Sequence, residues 1–472
     1  MTSPVETVVD RLQRHARERR DAPAIASPDR VVTYRELHAL VGGCASWLRS
    51  LGIERGERVG LSIVDDLEHC TVMLGLACVG AAHVTLAAHE PAAARSRLAA
   101  RVGARRVITR DDVDDDRMAF WSRQAPAPLA SPDPSALFTY FTSSGTTGEA
   151  KIIPILHGRY VEQAPRGPTG NGLSLSPLEH HFVKRLLLYA ILGGKTAVIR
   201  GASDLPLSRL CATFAVDNLM CMSAQIGDVV AETERTGRLP PQTRMLMSGA
   251  RCPATLRRQL LERVCDAVAI TYSMQECGSI ARVVERDAAS VTETVGRPHP
   301  GVELEIVNER GEPVPEGESG EIRVRVPGMA SGYVDDPAAS AAHFRDGWFQ
   351  PGDLVSLTAE SALVVHGRAD DVMNLNGIKI APAEIERALE RHPAVKAVVA
   401  FPLRSGVHGE IPVAAVELVD GARADEGELQ RFVRVALGMR APRRVMIVPA
   451  MPATPQGKVD VQALVDAMRE PR

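Results

Sequence analysis

Lysine is scarce in this 472-residue chain: of 55 basic residues only six are lysine, at positions 151, 184, 195, 379, 396 and 458. Each retained lysine is therefore a candidate for a defined role. Aromatic residues make up only 4%, which leaves little material for a large stacking pocket. None of the eight cysteines forms a CxxC pair, so neither a zinc knuckle nor a redox dithiol is expected, and most lie among apolar neighbours as buried thiols do. No apolar run approaches the ~20 residues of a membrane span, and the first twenty residues lack the apolar core of a signal peptide. They read instead as an amphipathic helix, and a cytoplasmic location is expected, with no membrane partner. The net charge of -3 gives no general attraction for nucleic acid. Two catalytic signatures are also missing. The only GK[ST] is Gly194-Lys195-Thr196, and the glycine that a GxxxxGK[ST] loop needs five places earlier is Tyr189, which excludes the ordinary nucleotide P-loop. No GxSxG occurs, so a hydrolase nucleophile elbow has no support.

A chain of this length exceeds one ordinary core, so two or more domains are expected. The first half alternates helical and strand patterns: "TYRELHALVGGCASWLRSLGI" as helix, "RVGLSIV" as strand, "TVMLGLACVGAA" as a helix ending at glycine, "HVTLAA" and "RRVIT" as strands. Such alternation predicts an α/β domain with a largely parallel sheet. The acidic run at 111–116 reads as a solvated turn. From 301 to 328, β alternation broken by Gly and Pro predicts a small antiparallel subdomain. After "VVHGRADD" the pattern becomes α+β: a helix at "APAEIERALERH" with Pro382 in its first turn, strands at "VKAVVAF", "PVAAVEL" and "RRVMIVP", and a helix at "DEGELQRFVRVAL". The division expected is 1–368 as the large N-terminal core and 369–472 as a small C-terminal domain.

The stretch "TSSGTTGEAK", Thr142 to Lys151, follows a β-like run. Its glycines allow several backbone N–H groups to face one anion, and hydroxyls and a lysine add donors and charge. By itself it is equally a polar turn. It is joined further along by "SGA" (248–250), "TYSMQECG" (271–278), "WFQPGDL" (348–354), "GRADDVMNLNGIKIAPAEIE" (367–386) and "PATPQGKVD" (452–460).

In this order the motifs resemble the class I adenylate-forming enzymes: acyl- and aryl-CoA synthetases, adenylation domains of nonribosomal peptide synthetases, and luciferases. The resemblance runs from "TYREL" at 33 to Lys458. It implies an ATP- and magnesium-dependent ligase that converts an acid to an acyl-adenylate, releases pyrophosphate and passes the acyl group to a thiol, either CoA or a carrier-protein phosphopantetheine. Residue by residue, it implies that Thr142, Ser143, Ser144, Gly145, Thr146, Thr147, Gly148 and Lys151 form the loop for the ATP phosphates. Ser248, Gly249 and Ala250 would line the adenine and acyl pocket, and Tyr272 would stack on adenine. Glu276 would bind magnesium, as a hard cation favours carboxylate oxygen. Asp353 would hold the ribose hydroxyls, Arg368 would contact ribose and phosphate, and Lys458 would be the catalytic lysine. Asp370 matches the hinge about which the C-terminal domain turns.

The pattern also departs from the family. Ala150 and Ile152 stand where relatives have proline and glycine around the lysine; Ser273 replaces a glycine, and Gln275 replaces a threonine that contacts the α-phosphate. With Met274 these lie beside nucleotide and acid, so an atypical substrate is expected. The segment 176–194 lacks the Phe-Asp pair that marks amino-acid activation and carries His180, His181, Lys184 and Arg185 instead. These are either a solvated helix start or contacts to an anionic or strongly polar acid. With only 14 residues beyond Lys458 and no phosphopantetheine attachment site, a freestanding enzyme is expected, with an acyl or peptidyl carrier protein as a candidate partner. An enzyme using a nitrogen nucleophile or a non-carboxylic acid, and a nucleotide-binding pseudoenzyme, remain as alternatives.

Overall fold

Local signals set most element ends. In the computed structural model, which describes all residues except 1–4, 124–127, 144–149, 202, 223–224, 376–377, 406–408, 455–458 and 470–472, helices Val8–Glu18 and Tyr34–Ser50 both start under capping boxes, Thr7 with Asp10 and Thr33 with Glu36. Each box satisfies backbone N–H groups that a helix start leaves without partners. Helix Asp66–Val79 starts at Asp65 and stops at Gly80, whose φ of 79° is a left-handed cap that favours glycine.

These helices flank a five-stranded sheet in the order Arg106–Thr109, Arg58–Ser62, Ala82–Thr85, Leu137–Ser143, Lys151–Leu156. The first four strands run parallel and the last is antiparallel. A second sheet has nine strands. Its centre is parallel and includes Gly172–Ser174, Asn218–Met220, Arg244–Ser248 and Val268–Met274; Gly278–Glu285 then returns antiparallel. Helix His181–Leu192 contributes Val183, Leu186, Leu187, Leu188 and Ile191 to the main core, along with residues of the first helices. Close approach in that core depends on Gly43, where a Cβ would fall 2.7 Å from the Trp121 ring.

The β pattern after 300 forms an antiparallel sheet that includes Glu303–Val307, Gly320–Arg325, Asp353–Leu357 and Leu363–Arg368. From Met373 onward, residues such as Ile385, Leu389, Val398, Val416, Leu429 and Val445 gather a core of their own. Its sheet pairs Val395–Ser405 with Gly409–Leu418 antiparallel, and the latter with Arg444–Val448 parallel. Arg251 bridges the two parts, meeting Glu390 at 2.8 Å and Glu386 at 3.6 Å. All eight cysteines are buried and free. Among the described residues no helix is long and apolar enough to cross a membrane.

The acidic run is solvated as expected, but it caps helices rather than forming a plain turn. It is exposed but ordered: Asp112 closes a capping box on Thr109, and Asp114 caps helix Asp115–Ser122. Short acidic side chains satisfy free N–H groups at helix starts, so the same composition that suits a turn also suits a cap.

Candidate active site

A cavity of about 460 Å³ opens where the C-terminal ends of the parallel strands meet the small antiparallel sheet, the usual ligand position in open α/β sheets. Strand Leu137–Ser143 brings Thr142 and Ser143 to it, and Lys151 begins the returning strand. Lys151 Nζ lies 2.7 Å from His343 Nε2 and 5.2 Å from the centre of the Tyr333 ring. His343 Nδ1 donates to Gln350 O at 2.7 Å, which leaves Nε2 as the acceptor for Lys151.

Glu276 follows the end of strand Val268–Met274. It is only 6% exposed and accepts a hydrogen bond of 3.0 Å from Tyr333 OH. Burial first, and the Glu276 charge next, push the Tyr333 phenol well above its usual pKa. Asp353 opens strand Asp353–Leu357 and pairs in register with Arg368. Its Oδ2 accepts from Tyr272 OH at 2.6 Å, and its Oδ1 is 3.5 Å from Arg368 Nη1, which also donates to Pro351 O at 2.8 Å. The Asp353 carboxylate is thus held from two sides. Gly352, at φ 87°, makes the turn before it.

The other end of the cavity is lined by Gly167, Leu186, Tyr189, Thr271, Ser279 and Arg282, among others. Ser248 Oγ donates to Thr271 O at 2.9 Å and lies 2.8 Å from Ser273 Oγ, so Ser273 is the donor of that second bond. Ser273 therefore ties two strand ends together.

Of the residues anticipated from the sequence, Thr142, Ser143, Lys151, Ser248, Gly249, Ser273, Met274, Gln275, Glu276, Asp353 and Arg368 line this cavity. Ser144, Gly145, Thr146, Thr147, Gly148 and Lys458 lie outside the described residues. Tyr272 does not line the cavity but reaches Asp353 from behind. Ala250 is exposed, and Asp370 is an exposed side chain 3.5 Å from Arg368.

Of the basic cluster, Arg185 lines the cavity, in line with the second expectation, while Lys184 is buried rather than solvated. Helical periodicity divides it. Arg185, Leu186 and Tyr189 face the cavity, while His181 and Lys184 turn toward the strands at 82–85 and 137–143. Lys184 is fully buried and donates to Thr85 Oγ1; His181 Nε2 is 2.8 Å from Thr142 Oγ1. His180 stacks on His89. His180, His181 and Lys184 thus form a support behind the cavity rather than its lining. Residues that sequence reasoning missed are Tyr333, His343 and Arg282. The first two lie in unremarkable stretches, while Arg282 carried one faint signal, an arginine inside the apolar strand run "GSIARVVE".

The model of the AMP-binding enzyme family matches residues 12–334, and that of the AMP-binding enzyme C-terminal domain matches 384–458. Feruloyl-CoA synthase of Amycolatopsis sp is 27% identical over 94% of this chain and 96% of its own length. Phosphinothricin tripeptide synthetase PhsC of Streptomyces viridochromogenes is 27% identical over 97% of this chain, which spans 45% of that much longer protein. Among solved structures, the o-succinylbenzoate coenzyme A synthetase of Bacillus subtilis in complex with ATP and a magnesium ion superposes with a TM-score of 0.82 at 22% identity, covering 95% of this chain and 98% of that one.

Proposed function

This chain belongs to the AMP-binding enzyme family of adenylate-forming ligases, and from that premise we propose that it activates a small-molecule acid with ATP and magnesium and transfers the acyl group to a thiol of CoA or of a carrier-protein phosphopantetheine. In the first step a carboxylate oxygen attacks the α-phosphorus of ATP, the bond to pyrophosphate breaks, and an acyl-adenylate forms. In the second, the thiol sulfur attacks the acyl carbon, loses its proton, and AMP leaves.

The observation that carries this reading is the convergence of Thr142, Ser143, Lys151, Glu276, Asp353 and Arg368, from four distant segments, on one cavity. The donor set suits a magnesium nucleotide. Asp353 offers two acceptor oxygens to ribose hydroxyls. Lys151 and Arg368 supply positive charge for phosphates, with Thr142 and Ser143 as hydroxyl donors. Glu276 is a single carboxylate, and magnesium takes one or two carboxylates together with phosphate oxygens and water. When bound, the ion would neutralise charge building on the phosphates. Tyr333 and Tyr272 orient Glu276 and Asp353 for these tasks. Lys458 would bridge the substrate carboxylate and α-phosphate as charge develops.

The test is pyrophosphate exchange over a broad panel of acids, in wild type and in Lys458→Ala. Exchange is expected with some acid and is expected to vanish in the variant. ATP binding without exchange for any acid refutes the ligase reading in favour of a nucleotide-binding pseudoenzyme. Mass measurement after adding CoA, carrier protein or an amine then identifies the acceptor; an amide as the sole product overturns the thiol assignment.

A further inference from the structure

One buried arginine shows what a compensated guanidinium looks like in this chain. Arg257, 2% exposed, pairs with Glu285 at 2.7 Å. Three arginines in and beside the cavity differ from it, Arg166 and Arg185 buried and Arg282 half-buried. Arg185, 5% exposed, donates to Gln163 Oε1 at 2.7 Å and to Gln275 O at 2.5 Å, and its Nε has no partner. Arg282 donates to Thr271 Oγ1 at 3.2 Å, Arg166 O at 2.9 Å and Gly167 O at 3.4 Å. Arg166, 5% exposed, is spent on the carbonyls of Cys277, Ser279 and Pro327. Every one of these acceptors is neutral. Among the described residues no carboxylate lies within ion-pair distance of Arg166, Arg185 or Arg282.

The electrostatic consequences are visible on neighbours. Burial, and then Arg244, bring Arg282 down to about 10. His299, which meets Ser279 at 2.7 Å, is pushed down to about 4 by burial and then by Arg282 and Arg166. An uncompensated buried charge is strongly unfavourable unless a partner arrives. Two of these guanidiniums, Arg185 and Arg282, line the cavity, so that partner can be a ligand.

The two are not equivalent. Arg185 bonds Gln275, next to Glu276 at the reacting end. Arg282 sits opposite Thr271 on the paired strand, two residues further in than Ser273, roughly 7 Å at strand rise. Resting on the ligase reading above, we propose that the acid activated here carries a second oxyanionic group, such as another carboxylate, and that Arg282 receives it at the inner end of the cavity. Arg282 uses only three donor bonds on the protein, so two of its five N–H groups remain for such a group. This sharpens the expectation raised by the basic cluster: Arg185 stays, His180, His181 and Lys184 drop out, and Arg282 joins.

The experiment measures pyrophosphate exchange with matched pairs, succinate against butyrate, glutarate against valerate and phthalate against benzoate. Heat-denaturation shifts are recorded with the same acids. The wild type is expected to favour the diacid of at least one pair. Arg282→Gln should lower the diacid-to-monoacid ratio of kcat/KM by roughly 10- to 100-fold, the range of a charged hydrogen bond, mainly through KM. Arg282→Lys, which keeps the charge, should restore part of the ratio and serves as the control for folding. Monoacids preferred in every pair, or an unchanged ratio in Arg282→Gln, overturns the proposal. The ligase reading fails separately: if no acid exchanges while a diacid still raises the melting temperature of wild type but not of Arg282→Gln, the anion site stands without the reaction. If monoacids exchange and diacids neither exchange nor stabilise, the reaction stands without the anion site.

Discussion

Replacing Lys184 by methionine should stabilise this protein, by an amount that depends on pH. Lys184 is fully buried, and its ammonium has Thr85 Oγ1 as a close partner and His83 Nε2 at 3.5 Å. The rings around it, His69, His83 and His181, are all pushed down by burial first and by Lys184 next, so they are neutral at pH 7. Glu179 and Cys70 favour the charged lysine, but burial outweighs them and brings it from 10.5 down to about 7. Below pH 7 folded and unfolded chains both hold this proton, and the group adds no pH dependence. Between about 7 and 10.5 the unfolded chain holds it and the folded chain does not, so stability rises with pH. The full span is worth about 5 kcal/mol, which is also the ceiling on what an apolar side chain of similar length gains at pH 7. Loss of the Thr85 bond offsets about 1 kcal/mol and relaxation around the ammonium a further part, leaving a gain on the order of 2–4 kcal/mol for Lys184→Met. Thermal denaturation at pH 7.0, 8.5 and 9.5 reads this as a melting temperature several degrees above wild type at pH 7, with the gap narrowing as pH rises. A variant that melts below wild type at pH 7, or a gap that does not change with pH, refutes the reasoning.

Other outcomes follow from the same geometry. Tyr272→Phe removes the 2.6 Å bond to Asp353 and should raise the KM for ATP roughly 10-fold, at about 1.5 kcal/mol for a bond to a charged group, with a smaller change in kcat; an unchanged KM refutes the positioning role. Glu276→Gln keeps the shape but halves the carboxylate, and pyrophosphate exchange should fall roughly 100-fold and need more magnesium, an effect on the order of 3 kcal/mol. Arg251→Ala cuts the contacts to Glu386 and Glu390, each worth about 0.5–1 kcal/mol; faster proteolysis near the 367–371 segment and an altered scattering profile are the expected readouts. Arg257→Ala leaves Glu285 buried and alone and should destabilise by about 3–5 kcal/mol, measured by chemical denaturation.

Much of the fold was legible because its signals are local. Thr33 with Glu36, Asp65, Gly80 and Pro382 mark helix ends within a few residues, because the free N–H and C=O groups at each end seek partners close by in the chain. The strands at 58–62, 82–85 and 106–109 and the antiparallel character after 300 were readable from period and composition. Motif order likewise identified the family. The acidic run reads as a turn because caps and turns use the same residues, and only the neighbouring chain distinguishes them.

The site divides along the same line. The sequence alone picked out Lys151, Glu276, Asp353 and Arg368 as candidates for one site, because each lies in a short motif that resembles the family pattern, and all four line the cavity. Tertiary structure decided which further side chains line the cavity. A step of one residue along helix His181–Leu192, a rotation of about 100°, sends Lys184 to the strands behind and Arg185 into the cavity, and no local pattern specifies which face a helix that is apolar nearly all round turns to a cavity. Arg282 reaches the same cavity from a strand nearly one hundred residues away, with backbone carbonyls rather than carboxylates as partners. That missing counter-charge is a property of what surrounds a side chain in space, so it became visible only once the chain was folded.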